Sequence, residues 1–142
     1  ILKDTGIDVS DMAGAGAAGG LGGAFRAYLG AELKRGVDLV LDQIGFDSIV
    51  DGADLVITGE GCSDYQTLKG KTAAGVFERA KRKGIPVMLV SGAIRDGQML
   101  RDGGFGIIAA ASPKEMSLAE AMRPETAESN IYKTVKRLLL NE

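Results

Sequence analysis

The chain has 142 residues, 45% of them hydrophobic and 25% charged, and its 17 basic and 19 acidic side chains leave a formal net charge of −2. That balance describes one ordinary globular domain and excludes a disordered or collagen-like chain, a strongly basic nucleic-acid surface and an acidic tail. Without histidine and with a single cysteine, the sequence excludes His-ligated metal sites, Ser-His-Asp and Cys-His arrangements, an internal disulfide and a cysteine-rich zinc cluster.

The lone Cys62 fits a reducing compartment. No apolar run approaches the roughly 18 to 20 residues of a membrane span, and no cationic-then-apolar opening resembles a signal peptide. A cytoplasmic protein with no membrane or nucleic-acid partner is therefore expected. The chain opens on Ile1 rather than Met, which reads as a fragment or a processed chain.

Glycine contributes 21 residues, well above the roughly 7% of average usage, and the first cluster is GAGAAGGLGG at 14–23. Behind it, Leu21, Phe25, Tyr28 and Leu29 fall on one face of a glycine-started helix reaching about residue 33. Val37, Leu39, Val40, Leu41 and Ile44 form a second amphipathic piece, ended by Gly45.

From residue 51 the pattern changes to short apolar runs alternating with longer helical ones. Ala53–Ile57 is a buried strand closed by Thr58-Gly59. A helix over 72–83 puts Val76, Phe77 and Ala80 on one face and stops at Gly84. The basic run Lys81-Arg82-Lys83 precedes that stop, where cations complement the helix dipole; a binding patch is the alternative. Pro86–Val90 is a second strand, a short segment follows at 96–102, and Gly106–Ala110 is a third strand. A last helix, from about Glu125 to Leu140 behind Pro124, aligns Ile131, Val135, Leu138 and Leu139.

Strands separated by helical crossovers specify an α/β fold, a three-layer parallel sheet with helices on both faces. Right-handed crossovers then gather Thr58-Gly59-Glu60, Ser91-Gly92 and Ala110-Ala111-Ser112 on one edge, where open α/β sheets bind ligands.

Two motifs imitate nucleotide-binding signatures. Gly14, Gly16 and Gly19 satisfy G-x-G-x-x-G, but Asp8–Ala13 is not the hydrophobic strand a dinucleotide fingerprint requires. Close helix packing and a turn whose backbone approaches a ligand are the other readings. Gly70-Lys71-Thr72 resembles the end of a phosphate-binding loop, yet Tyr65 occupies the place of the required glycine. Thr72 is expected to cap the following helix, leaving an anion-binding helix start beside Lys71 or an ordinary capped helix with a solvated lysine.

GADLVITGEG at 52–61, Asp64-Tyr65-Gln66-Thr67-Leu68, Gly70-Lys71, Gly75-Val76 and the Ala80-Lys81 to Gly84-Ile85-Pro86-Val87 connection closely resemble the glycerate kinase family of the bacterial glycerate 2-kinase type. Thr5-Gly6-Ile7-Asp8, GAGAAGGLG at 14–22, Ser112-Pro113 and Met116–Ala121 continue the resemblance over nearly the whole chain.

Family members are longer and have two domains, one inserted into a discontinuous Rossmann-like one. By resemblance this chain is the C-terminal portion: residues 1–50 finish the inserted domain, 51–142 form the second part of the Rossmann-like domain, and the N-terminal half of the same protein is the expected partner. The implied reaction passes the γ-phosphoryl group of ATP, with Mg²⁺, to a hydroxyl of D-glycerate, with 2-phosphoglycerate the expected product. Positioning and charge neutralisation dominate such chemistry.

The resemblance makes Asp64 the base or hydroxyl-orienting residue and Glu60 a metal-linked or substrate-orienting one, with either carboxylate holding Mg²⁺. Gly59 and Gly61 let the backbone approach substrate. Gln66, Thr67, Gly70, Lys71, Thr72, Gly14, Gly16 and Ser91 are the substrate or phosphate contacts, with loop and cap hydrogen bonding the alternative for Gln66 and Thr67. Cys62 stands where the family pattern has arginine, which removes a bidentate cation, and Ala73 stands where a proline commonly opens the helix. Cys62 as a nucleophile lacks a histidine to activate it, so a passive residue is the favoured reading. A kinase for a related hydroxy acid, or a catalytically inactive fragment or regulatory homologue, is the alternative function.

Overall fold

The computed structural model of the chain describes residues 1–140, which divide into two compact units, Ile1–Val40 and Leu41 onward. The helices are α1 Leu2–Thr5, α2 Ala17–Leu29, α3 Gly36–Gln43, α4 Phe46–Ile49, α5 Thr72–Arg82, α6 Gly97–Asp102, α7 Leu118–Ala121 and α8 Pro124–Leu140. The strands are β1 Val56–Thr58, β2 Cys62–Ser63, β3 Val87–Ser91, β4 Ala93–Ile94 and β5 Ile107–Ala110. Among the described residues no helix is long and apolar enough to cross a membrane.

In the first unit the glycine cluster is built for close approach. A side chain at Gly22 would run into the carbonyl of Gly14, and one at Gly23 would come within 3.1 Å of Val9 and 3.3 Å of the Ala15 carbonyl. No strand precedes Gly14 among the described residues, so the dinucleotide geometry is absent. The expected helix is shorter at both ends. Ala18, Gly19 and Gly20 have left-handed backbones, and Gly30 at φ 66° ends α2 with its N–H on the Arg26 carbonyl. The apolar face foreseen for α2 is about half exposed or more: Leu21 52%, Phe25 49%, Tyr28 55%, Leu29 74%. Tyr28 donates to Asp4, which holds its phenol above the ordinary range, and Ser10 donates twice to Asp8, which keeps that carboxyl below its ordinary range.

The second unit is a parallel sheet in the order β1-β3-β5, flanked by helices. Alternation along central β3 divides its side chains between two faces. Val87 and Leu89 join Ala73, Ala80, Val76 and Phe77 of α5, with Leu100 and Phe105, in the main core. Met88 and Val90 face the other way, against Val135 and Leu138 of α8. Three layers result, as expected. β1 starts three residues later than the apolar run suggests. Its partner strand cannot donate from Pro86, so the ladder opens with the Val56 N–H on the Pro86 carbonyl and pairs Val56 with Val87.

Gly84 stops α5 as the sequence suggests. At φ 72° it donates to the Lys81 carbonyl while buried Ile85 donates to that of Ala80, the paired bonds of a Schellman turn. The α5 start is different: Lys71, extended at φ −68° and ψ 172°, occupies the cap position without a side-chain bond, and Thr72 is the first helical residue. Thr72 therefore caps nothing, because the helical turn has already begun there. Arg79 on α5 ties back to Asp42 and Asp47, and both bonds hold its guanidinium firmly protonated.

Burial, rather than strand membership, sets what each sheet residue contributes. Leu89 is fully buried, so Leu89→Ala is expected to cost about 2–5 kcal/mol of unfolding free energy in urea. Ile57→Ala, 45% exposed on β1, is expected to cost under about 1 kcal/mol. Equal costs at the two positions would contradict this core assignment.

Candidate active site

Parallel pairing does not end with the main strands. Gly92 N–H donates to the Glu60 carbonyl, Ala93 N–H to Gly61, Arg95 N–H to Ser63 and Ser112 N–H to Gly92. The extension contains the two-residue strands β2 and β4, with Cys62 opposite Ala93 and Ser63 opposite Ile94. The loops after β1, β3 and β5 are thereby drawn together at the C-terminal edge of the sheet, the edge where open α/β sheets take ligands.

This close approach depends on two glycines. A Cβ at Gly59 would collide with the carbonyl of Val90, and one at Gly92 would lie 2.6 Å from the Gly61 carbonyl. At Gly61 a Cβ would meet nothing within 4 Å. Gly59 therefore serves the approach of two backbones, whereas Gly61 borders open space.

The loop then folds on its own polar groups. Thr67 N–H donates to the Asp64 carbonyl at 3.0 Å, Asp64 N–H donates to the Thr67 hydroxyl at 3.1 Å, and Gln66 N–H takes the Asp64 carboxylate at 2.8 Å. The last bond is the side-chain turn that aspartate favours in loops. Tyr65 N–H reaches across to the carboxylate of Asp96 at 3.1 Å, a second tie to the loop after β4.

Glu60 is held from below. Ser63 donates to its Oε1 at 2.9 Å, the Thr67 hydroxyl donates to the same oxygen, and the Ser63 and Ser91 hydroxyls lie 2.6 Å apart. Ser63 and Thr67 are fully buried and Ser91 is 1% exposed, while Glu60 and Asp64 are partly exposed. The structure thus brings Glu60, Asp64, Thr67 and Ser91 into one connected network, with Thr67 and Ser91 beneath the loop surface.

The other expected site residues fall elsewhere. Gln66 is exposed and reaches Tyr65 Oη at 3.5 Å. Gly70 takes a left-handed turn at φ 85° into exposed Lys71 and Thr72, at the uncapped start of α5. Gly14 and Gly16 belong to the first unit. Cys62 is half-buried within β2.

Ser63, Arg95 and Asp96 were not singled out from sequence. Ser63 stands in the conspicuous loop, but its importance comes from burial against Ser91. Arg95 follows β4 as Asp64 follows β2, so the register sets the two side by side; two-residue strands have no periodicity from which to read that.

A divalent cation suits the donor chemistry. Among the described residues no three His, Cys, Asp or Glu side chains gather into a metal cage. Each of Glu60 and Asp64, however, commits one carboxylate oxygen to the protein and keeps a second without a hydrogen-bond partner among the described residues. Mg²⁺ is commonly held that way, by one or two carboxylates with phosphate and water oxygens completing its shell.

Comparison with known proteins gives this site its context. The glycerate kinase family model matches residues 1–140. The chain is 42% identical over 132 residues to a glycerate kinase of Bacillus cereus, which spans 92% of the chain and 34% of that protein. It is 47% identical over 124 residues to a glycerate kinase of Bacillus subtilis, covering 84% and 32%, and 44% identical over 96 residues to the glycerate 2-kinase of Escherichia coli K12, covering 68% and 25%. A crystal structure of a protein assigned as glycerate kinase 2 from Salmonella typhimurium LT2 superposes with a TM-score of 0.55 at 34% identity, over 98% of this chain and 37% of that one. The chain thus spans about a third of the length of the relatives it matches.

Gly59→Ala is expected to lower stability by about 1–3 kcal/mol and to speed hydrogen exchange at the Gly92 and Ala93 amides, because two backbones must part to admit the methyl group. Gly61→Ala is expected to stay within about 1 kcal/mol of the parent. Identical behaviour of the two variants would refute the close-approach role of Gly59.

Proposed function

The chain belongs to the glycerate kinase family, and we propose that it works as the C-terminal portion of a cytoplasmic, ATP- and Mg²⁺-dependent kinase that phosphorylates a hydroxyl of D-glycerate, giving 2-phosphoglycerate. In that arrangement residues 1–50 finish an inserted domain, and 51–142 form the second part of a Rossmann-like domain completed by the N-terminal half of the protein. The observation that carries the reading is the pair of carboxylates on one strand-end loop, Glu60 and Asp64, each fixed at one oxygen and open at the other.

Phosphoryl transfer asks the protein mainly to position reactants and neutralise charge. Asp64, its Oδ1 pinned by the Gln66 amide, presents a carboxylate that accepts the proton of the glycerate hydroxyl. As that oxygen bonds to the γ-phosphorus, the bond to the β-phosphate bridging oxygen breaks, ADP departs, and the proton passes from Asp64 to solvent. Bound Mg²⁺ would neutralise phosphate charge, held by the open oxygen of Glu60 or Asp64. Lys71, Gly70 and Thr72 bring a cation and the uncapped α5 amides to the phosphates. Gln66 and Gly61 border the glycerate side of the loop.

In a coupled ADP-release assay, the full-length polypeptide carrying this segment is expected to form ADP only when D-glycerate, ATP and Mg²⁺ are all supplied. ADP release indifferent to glycerate would overturn the reading. Asp64→Asn is expected to lower kcat by about 10²–10⁴-fold while leaving KM for glycerate within about threefold; a near-normal kcat would remove Asp64 from the proton-accepting role.

A further inference from the structure

We infer that Ser63, Thr67 and Ser91 are positioning residues that fix Glu60 by Oε1 and leave Oε2 as its working oxygen. The inference rests on the kinase reading above and assigns tasks within the same site.

Proton bookkeeping orders the network. Ser63 has one hydroxyl proton, and it goes to Glu60. The 2.6 Å contact between Ser63 and Ser91 must therefore be donated by Ser91, so the chain runs Ser91 to Ser63 to Glu60. Thr67 likewise spends its single proton on Glu60 and accepts the Asp64 N–H on the same oxygen atom. Two relays of aligned dipoles, one from the end of β3 and one from the backbone of Asp64, converge on one carboxylate oxygen, and each link polarises the next.

Their physical effect is on orientation. The terminal torsion of a glutamate is broad and roughly two-fold, so an unsupported carboxylate swings freely. Two hydroxyls reaching Oε1 from different elements, one on β2 and one in the 64–67 turn, stop that swing and define where Oε2 points. All three hydroxyls are at most 1% exposed, which removes them from contact with any ligand and leaves Glu60 as the group through which they act. The same Thr67 hydroxyl ties Glu60 to the backbone of Asp64, so the two candidate carboxylates move as one unit.

The test uses glycerate-dependent ADP release by the full-length polypeptide. Thr67→Val, nearly the same shape without the hydroxyl, is expected to lower kcat about tenfold with KM for glycerate and ATP within about threefold, and Thr67→Ser is expected to restore kcat to near the parent value. Ser91→Ala, two bonds from the carboxylate, is expected to lower kcat about threefold. In a Glu60→Ala background, adding Ser91→Ala is expected to alter the residual rate by less than about twofold, whereas Thr67→Val keeps only the smaller loss that comes from freeing the Asp64 amide. If Thr67→Val does not fold by its melting transition, the Ser91→Ala cycle decides. Full kcat in folded variants, or the same loss with and without Glu60, would overturn the positioning role alone. A parent enzyme with no glycerate-dependent ADP release would remove the kinase reading and this inference with it.

Discussion

The approach of the Gly59 backbone to the Val90 carbonyl is the constraint on which the site depends. Main-chain groups of the loop after β1 can reach those after β3 only because no side chain intervenes at Gly59 and Gly92. Once they meet, the parallel ladder continues as β2 and β4, and Ser63 is carried down onto Ser91. The sheet core supplies the rigidity for this: β3 is buried on both faces, so the backbone against which the loop is registered has little freedom.

From that registration the chemistry follows by subtraction. Buried hydroxyls must find partners, and here they find Glu60, which consumes one of its oxygens. The turn at 64–67 must satisfy its own amides, which consumes one oxygen of Asp64. What is left over is a free oxygen on each of two partly exposed carboxylates beside open space at Gly61, and these are the atoms the proposed reaction would use. Structural demands and functional ones are thus met by different atoms of the same side chains.

Much of this was legible in the sequence where the signal was long or chemically specific. The three β-branched runs, the helix over 72–83 with its Gly84 stop, and the helix behind Pro124 all carried their own periodicity or terminator. The loop at 58–71 stood out by residue type, and its resemblance to a kinase family pointed the same way as the comparisons. What escaped was tertiary. β2 and β4 are too short to show a period, and Ser63 gained its importance from a partner 28 residues away. The resemblance offers Thr67 and Ser91 as ligand contacts, with loop hydrogen bonding the alternative for Thr67, and only packing shows both to be buried. Thr72 looked like a helix cap because its residue type suits one, but the extended backbone at Lys71 places the boundary one residue earlier. The glycines at 22 and 23 were read with the rest of their cluster, and their specific role, clearing space for Gly14 and Ala15, is visible only in the fold.

The account stands most directly on where Glu60 points when ligands are present. A crystal structure of the full-length polypeptide with D-glycerate, Mg²⁺ and a non-hydrolysable ATP analogue measures this. The account predicts Oε1 still bonded to Ser63 and Thr67, with Oε2 and the Asp64 carboxylate turned toward the ligands at the C-terminal sheet edge. Ligands seated at the opposite edge, beside Gly104 and Ile107, or Glu60 swung away from both hydroxyls, would contradict it.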